Sequence, residues 1–141
     1  KLFPIEVAID AGPNGEPLVG VPSGDDLRVS IAHKDGIGVA IAAEGTTPGI
    51  DIEKIEARGE GFAGIAFSPA ELALVAGRDQ ADARTRLWAA KEAAGKAAGT
   101  GMGNAPKHLA VSAIDGDRLC VNGRWIATRR HLDYIIAWTE P

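Results

Sequence analysis

Cysteine is nearly absent from this chain: among 141 residues only Cys120 carries a thiol. A lone cysteine excludes an internal disulfide framework and suits a reducing compartment. Basic charge is also in short supply, because 15 lysines and arginines face 19 acids and leave a net charge of −4. Bulk nucleic-acid binding would leave the opposite footprint, so no nucleic-acid partner is expected. No run reaches the roughly 18 to 20 apolar residues of a membrane helix, and the opening residues lack the basic, apolar and small-residue blocks of a signal peptide. No membrane partner is expected, and the expected location is cytoplasmic. There is no internal repeat, low-complexity tract or long charge block. The chain opens on Lys1 rather than Met, as a segment of something longer would.

What is present is a globular composition, 45% apolar, enough for one compact core or at most two small lobes. Residues 5 to 10, "IEVAID", alternate and run into Asn14-Gly15, a strong turn signal, and a short strand near Leu18 to Val21 completes a hairpin. "DLRVSIAHKDGIGVAIAA" reads as two strands, about 27 to 33 and 37 to 43, joined across Asp35-Gly36. A strand "GIDIEKI" follows at 49 to 55, and then "ARGEGFAG", a Gly-rich stretch that reads as irregular. Ser68, Pro69 and Glu71 form a helix start with a capping box, and Gly77 stops that helix. A longer helix runs from about Ala81 to Ala98. Its apolar stripe is Ala83, Leu87, Ala90, Ala94, Ala97 and Ala98, with Trp88, Glu92 and Lys96 on another side. The tail reads as three or four antiparallel strands with turns at Asp115-Gly116 and Asn122-Gly123, so the class is α+β.

Three groups of residues carry chemistry. Asp51 and Glu53 sit two apart on a strand, which puts their side-chain origins about 6 to 7 Å apart on one face. Two like charges beside a packed core repel and lose hydration. A hard dication such as Mg²⁺ relieves that conflict; the alternative is a solvent-facing edge strand with Lys54 or an arginine nearby. In "WAAKEAAGKAAGTG", residues 88 to 101, Glu92 stands four residues before Lys96 and next to Lys91. This is either an ordinary salt bridge on a solvated helix or a functional face, where the surrounding alanine and glycine let a backbone or ligand approach. Gly95 inside a helix costs about 1 kcal/mol relative to Ala, with no structural gain visible in the sequence. His33, closing "SIAH", is either a satisfied residue at a strand end or, with Lys34, a phosphate contact. Neither His108 nor His131 is spaced to pair with it or with Cys120 as a zinc site.

The series "SIAH…GIDIE…FSPAE…WAAKEAAGKAAGTG" resembles the 4′-phosphopantetheinyl transferase superfamily, over about residues 12 to 138. Within it the order matches the branch with two similar halves in one chain, the surfactin-synthetase-activating type. The resemblance implies an antiparallel sheet packed against a long helix and a shorter helix. It implies a holo-[acyl-carrier-protein] synthase type reaction: Mg²⁺-dependent transfer of 4′-phosphopantetheine from coenzyme A to a serine of an acyl or peptidyl carrier protein, releasing 3′,5′-ADP. Asp51, Glu53 and Glu92 are then the metal ligands. Glu92 and Lys96 are the catalytic residues, with Glu92 as ligand, base or both. His33, Lys34, Lys91 and Lys96 contact coenzyme A. Arg84 and Arg86, with Arg129 and Arg130 of "GRWIATRRH", either offer local positive charge to an acidic carrier or are scattered solvated arginines.

This chain also departs from the family pattern. Ala32 stands where the family usually has Ser or Thr before the histidine, and Glu16 replaces the lysine of a G-K-P turn. Only 48 residues precede "GIDIE", fewer than a complete first half. Residues 1–48 therefore read as a remnant of the first half and 49–141 as a complete second half of one domain. Such a chain is expected to be part of a polyketide or fatty-acid synthase, to be a fragment, or to be completed by a second chain. Two rivals stand beside the enzyme: a non-catalytic module binding coenzyme A or a carrier, and an unrelated α+β dimerisation domain.

Overall fold

The structure, a computed structural model, describes residues 8–20 and 26–140. β1 (Ala8–Ala11) and β2 (Pro17–Gly20) pair across the Asn14-Gly15 turn, where Gly15 takes a φ of 82°. Residues 5–7 and Val21 of the expected hairpin lie outside the described residues. β3 (Leu27–Lys34) and β4 (Ile37–Glu44) meet across Asp35-Gly36, both at positive φ, in the mirror-image turn whose twist suits a hairpin. Each hairpin is a two-stranded sheet of its own.

The main sheet has five antiparallel strands. β5 (Ile50–Lys54) lies beside the last strand, β9 (Tyr134–Thr139), followed by β8 (Arg124–His131), β7 (Arg118–Val121) and β6 (Val111–Asp115). The tail thus has four strands. The turn between β8 and β9 carries no Gly signal: Leu132 itself adopts a φ of 52°.

Helices cover this sheet. α2 (Pro69–Leu74) starts with the expected capping box, in which the Glu71 amide donates to the Ser68 hydroxyl at 3.3 Å and the Ser68 amide to Glu71 Oε2 at 2.7 Å. α3 (Gln80–Ala97) is capped by Asp79, whose carboxylate accepts from the Ala81 and Asp82 amides. The expected stripe is buried except Ala98, which is exposed at the C-cap. Burial extends well beyond it, to Thr85, Ala89, Lys91 and Ala93. The stretch expected to be irregular contains a helix, α1 (Glu60–Ala66). Its glycines are overridden by packing: Ala63 and Ala66 are buried, and the Phe62 ring meets Phe67 and Trp88 edge-on at 6.0 and 5.0 Å. No helix among the described residues is long and apolar enough to cross a membrane.

Two glycines set how closely the layers approach. A Cβ on Gly49 would overlap the Ala93 carbonyl of α3, and a Cβ on Gly95 would lie 2.6 Å from the Gly101 carbonyl oxygen. Gly95 therefore admits backbone, not ligand: the loop after α3 folds back and donates its Thr100 and Gly101 amides to the Gly95 carbonyl. Gly49→Ala is expected to cost at least about 1–3 kcal/mol, the range for an overfilled site, because neither backbone can rotate away. Urea unfolding checks this; an unchanged midpoint would mean that β5 and α3 are not in contact as described.

Candidate active site

β5 and α3 pack directly on one another, and this brings the chemistry of two separate motifs together. Asp51 is buried on β5, and its Oδ1 accepts from Lys96 Nζ at 3.0 Å. The same ammonium donates to the Ile50 carbonyl at 2.9 Å. Asp51 Oδ2 is buried with no hydrogen-bond partner. Burial pushes the Asp51 carboxyl above its ordinary value, against the pull of Lys96 and with a smaller push from Glu53. Glu92, one helical turn before Lys96, is pushed up to about 7 by burial and by the charge of Asp51, with Lys96 opposing and Glu53 adding. Lys96 bonds across to the strand rather than closing a surface pair with Glu92.

Glu53 is held differently. Its Oε2 accepts from Arg58 at 3.1 Å and Lys34 at 3.3 Å, and its Oε1 from the Trp88 indole at 3.2 Å. The Arg58 guanidinium stacks over the Phe62 and Trp88 rings, with its Nε buried and unpartnered. Lys54 turns instead to Asp35, at 3.8 Å.

Whether these acids suit a dication is decided by their donors. An orphaned carboxylate oxygen on Asp51 and a repelled carboxyl on Glu92 are the conditions that a hard cation relieves. Glu53 is committed to two cations and an indole. Among the described residues no three Asp, Glu, His or Cys side chains are grouped closely enough to hold an ion. The donor chemistry fits at Asp51 and Glu92, while the expected set of three is not assembled.

The other expected residues divide. Lys34 is brought to the site through Glu53. Ser30 is buried, and its hydroxyl accepts from the Ile50 amide at 3.1 Å, mooring β3 to β5. His33 alternates to the opposite face of β3 and is exposed there. Lys91 is not brought to the site at all. Its ammonium is fully buried, 2.7 Å from Glu71 Oε1, and donates to the Ala66 and Pro106 carbonyls at 2.8 and 3.1 Å. Three acceptors use up three N–H donors, so Lys91 belongs to the core and its expected contact with a cofactor is corrected. The arginines expected to attract an acidic partner are partly neutralised: Arg84 pairs with Glu60, Arg86 with Asp82 and Asp117, and Arg130 with Asp82.

A cleft of about 860 Å³ opens beside this cluster. Its walls come from the β1–β2 turn, β3, Thr47-Pro48 and the loop after α3, with Lys96 in the lining. Arg58, Arg28 and Thr47 were not singled out by motif. Arg58 had one signal, a guanidinium four residues after the "GIDIEK" strand; the other two had none.

The sequence matches the family model of the 4′-phosphopantetheinyl transferase superfamily over residues 47–139. No curated protein matches the chain.

Proposed function

The chain belongs to the 4′-phosphopantetheinyl transferase superfamily, and from that membership we propose that it moves the 4′-phosphopantetheine of coenzyme A to a serine of an acyl or peptidyl carrier protein. The serine oxygen attacks the pantetheine-bearing phosphorus of the pyrophosphate. A new P–O bond forms to serine, the bridging P–O bond breaks, and 3′,5′-ADP leaves. One observation carries this reading: Glu92, raised to about 7, stands in the field of buried Asp51 beside Lys96, which lines a cleft large enough for a nucleotide. A carboxylate with that value is suited to accept the serine proton near neutral pH. Lys96 supplies positive charge where the bridging oxygen, leaving with 3′,5′-ADP, develops negative charge. Phosphoryl transfer asks the protein for positioning and charge neutralisation rather than covalent chemistry.

Mg²⁺, when bound, would supply charge neutralisation at the pyrophosphate. Asp51, through Oδ2, and Glu92 would hold it, and Glu53 would join them only on leaving Arg58 and Lys34. The matched span begins at residue 47, which supports reading 49–141 as the second half of the domain.

The test is to incubate the chain with coenzyme A, Mg²⁺ and an apo carrier protein and to follow the carrier by mass spectrometry. A phosphopantetheine-sized gain on serine, lost on omitting Mg²⁺, is the expected result. Coenzyme A binding without any gain would identify a non-catalytic module instead.

A further inference from the structure

The cleft beside Lys96 raises a question of charge. Among the described residues its lining contains two cations, Lys96 and Arg28, and two acids, Glu16 and Asp26. Glu16 is turned back into its own hairpin, where its Oε2 accepts from the Asn14 amide at 2.9 Å. Asp26 is spent on Arg28, accepting from Nε at 2.9 Å and from Nη2 at 3.1 Å. Arg28 Nη1 donates to the Thr47 hydroxyl at 2.8 Å. The guanidinium is thus fixed from two sides. These bonds use three of its five N–H donors, in a flat fork suited to a phosphate monoester.

β3 lines the cleft along its first half, Leu27 to Ile31, with residues of both faces. Arg28 lies two residues before Ser30 and so points to the same face of β3, towards the β5 edge that Ser30 moors and Lys96 caps. His33 lies beyond that stretch of β3 and is not among the lining residues. The Gly15-Glu16-Pro17 turn, also in the lining, brings an acid rather than a base.

Resting on the reading above, we propose that Arg28, positioned by Asp26 and Thr47, is the residue by which this chain recognises the 3′-phosphate of coenzyme A, while Lys96 serves the pyrophosphate. Arg28 is then a specificity-determining residue: it distinguishes coenzyme A from its 3′-dephospho form.

Titration calorimetry on the intact chain, with each of the two compounds, tests this directly. The wild-type chain is expected to prefer coenzyme A. Arg28→Ala is expected to weaken coenzyme A binding roughly ten- to a hundredfold, as loss of hydrogen bonds to a charged group does, and to leave dephospho-coenzyme A binding almost unmoved, so that the preference disappears. Arg28→Lys, which keeps the charge without the fork, is expected to recover only part of it. A preserved preference in Arg28→Ala, in a variant whose melting curve matches wild type, overturns the assignment. Loss of the preference in His33→Ala rather than in Arg28→Ala does so as well. A wild-type chain that binds both compounds equally overturns the role of Arg28 alone; one that binds neither overturns the transferase reading with it.

Discussion

Lys91→Ala is expected to cost about 3–5 kcal/mol of folding stability, the penalty for leaving half of a buried ion pair behind. Glu71 is 1% exposed and Lys91 0%, so water cannot replace the missing partner. Glu71 does three jobs at once: it takes the Lys91 ammonium, closes the capping box of α2, and accepts from the Val111 amide at 2.9 Å to seat β6. Burial pushes its carboxyl up, but the Lys91 ammonium and the Ser68 and Val111 amides outweigh burial and hold it below the ordinary 4.5. Its contribution is therefore fully present above that ordinary value and is lost as pH falls through the lower folded one. Glu71→Ala is expected to cost at least as much as Lys91→Ala, because it also frees two amides. The double variant is expected to cost less than the two single costs added together, since the second removal relieves the charge stranded by the first. Denaturant unfolding at neutral pH measures all three; a cost below about 1 kcal/mol for either single variant would mean the pair is solvated.

The second large effect is on turnover. Glu92→Gln is expected to slow transfer about 10²–10⁴-fold, the range associated with removing a general base. The wild-type rate is expected to rise with pH as Glu92 gives up its proton, at a pH below the ion-free value of about 7 because bound Mg²⁺ favours the carboxylate, and the Gln variant is expected to lose that inflection. The same shift acts on stability, in the opposite direction. A folded value of about 7 lies above the ordinary 4.5, so the folded chain binds this proton more tightly than the unfolded chain. The associated stability is fully present below about 4.5 and disappears as pH rises through about 7. Without added ion the melting temperature is expected to fall between about pH 5 and 8, and Mg²⁺ is expected to recover more of it at the upper end, where the carboxylate is ionised. An identical Mg²⁺ effect at both ends of that range would count against Glu92 as a ligand.

Much of this architecture could be read from residue order. Asn-Gly and Asp-Gly pairs placed the hairpin turns because few residues accept positive φ. The Ser68 to Glu71 spacing placed α2 because a capping box is local chemistry. What escaped was tertiary. Nothing in "ARGEGFAG" favours a helix over a loop until Phe62 finds Trp88, far along the chain on α3, or until Ala63 and Ala66 are buried. Lys91 and Lys96 look alike in the sequence, both lysines in one alanine-rich helix, yet one points into the core and the other to the cleft. Five residues of rotation separate those fates. Asp51 and Glu53 were readable as a pair on one face, but their counterions were not: Lys96 and Arg58 arrive from a helix and a loop that sequence spacing does not connect to them.

The moorings of β3 have a consequence for how a large molecule could reach the interior. A hairpin of two strands is marginal by itself, and β3–β4 is fastened to β5 by the Ser30 hydroxyl and the Lys34 ammonium. The roof of the cavity thus owes its order to the floor it is tied to, and whatever loosens those two bonds loosens the entrance.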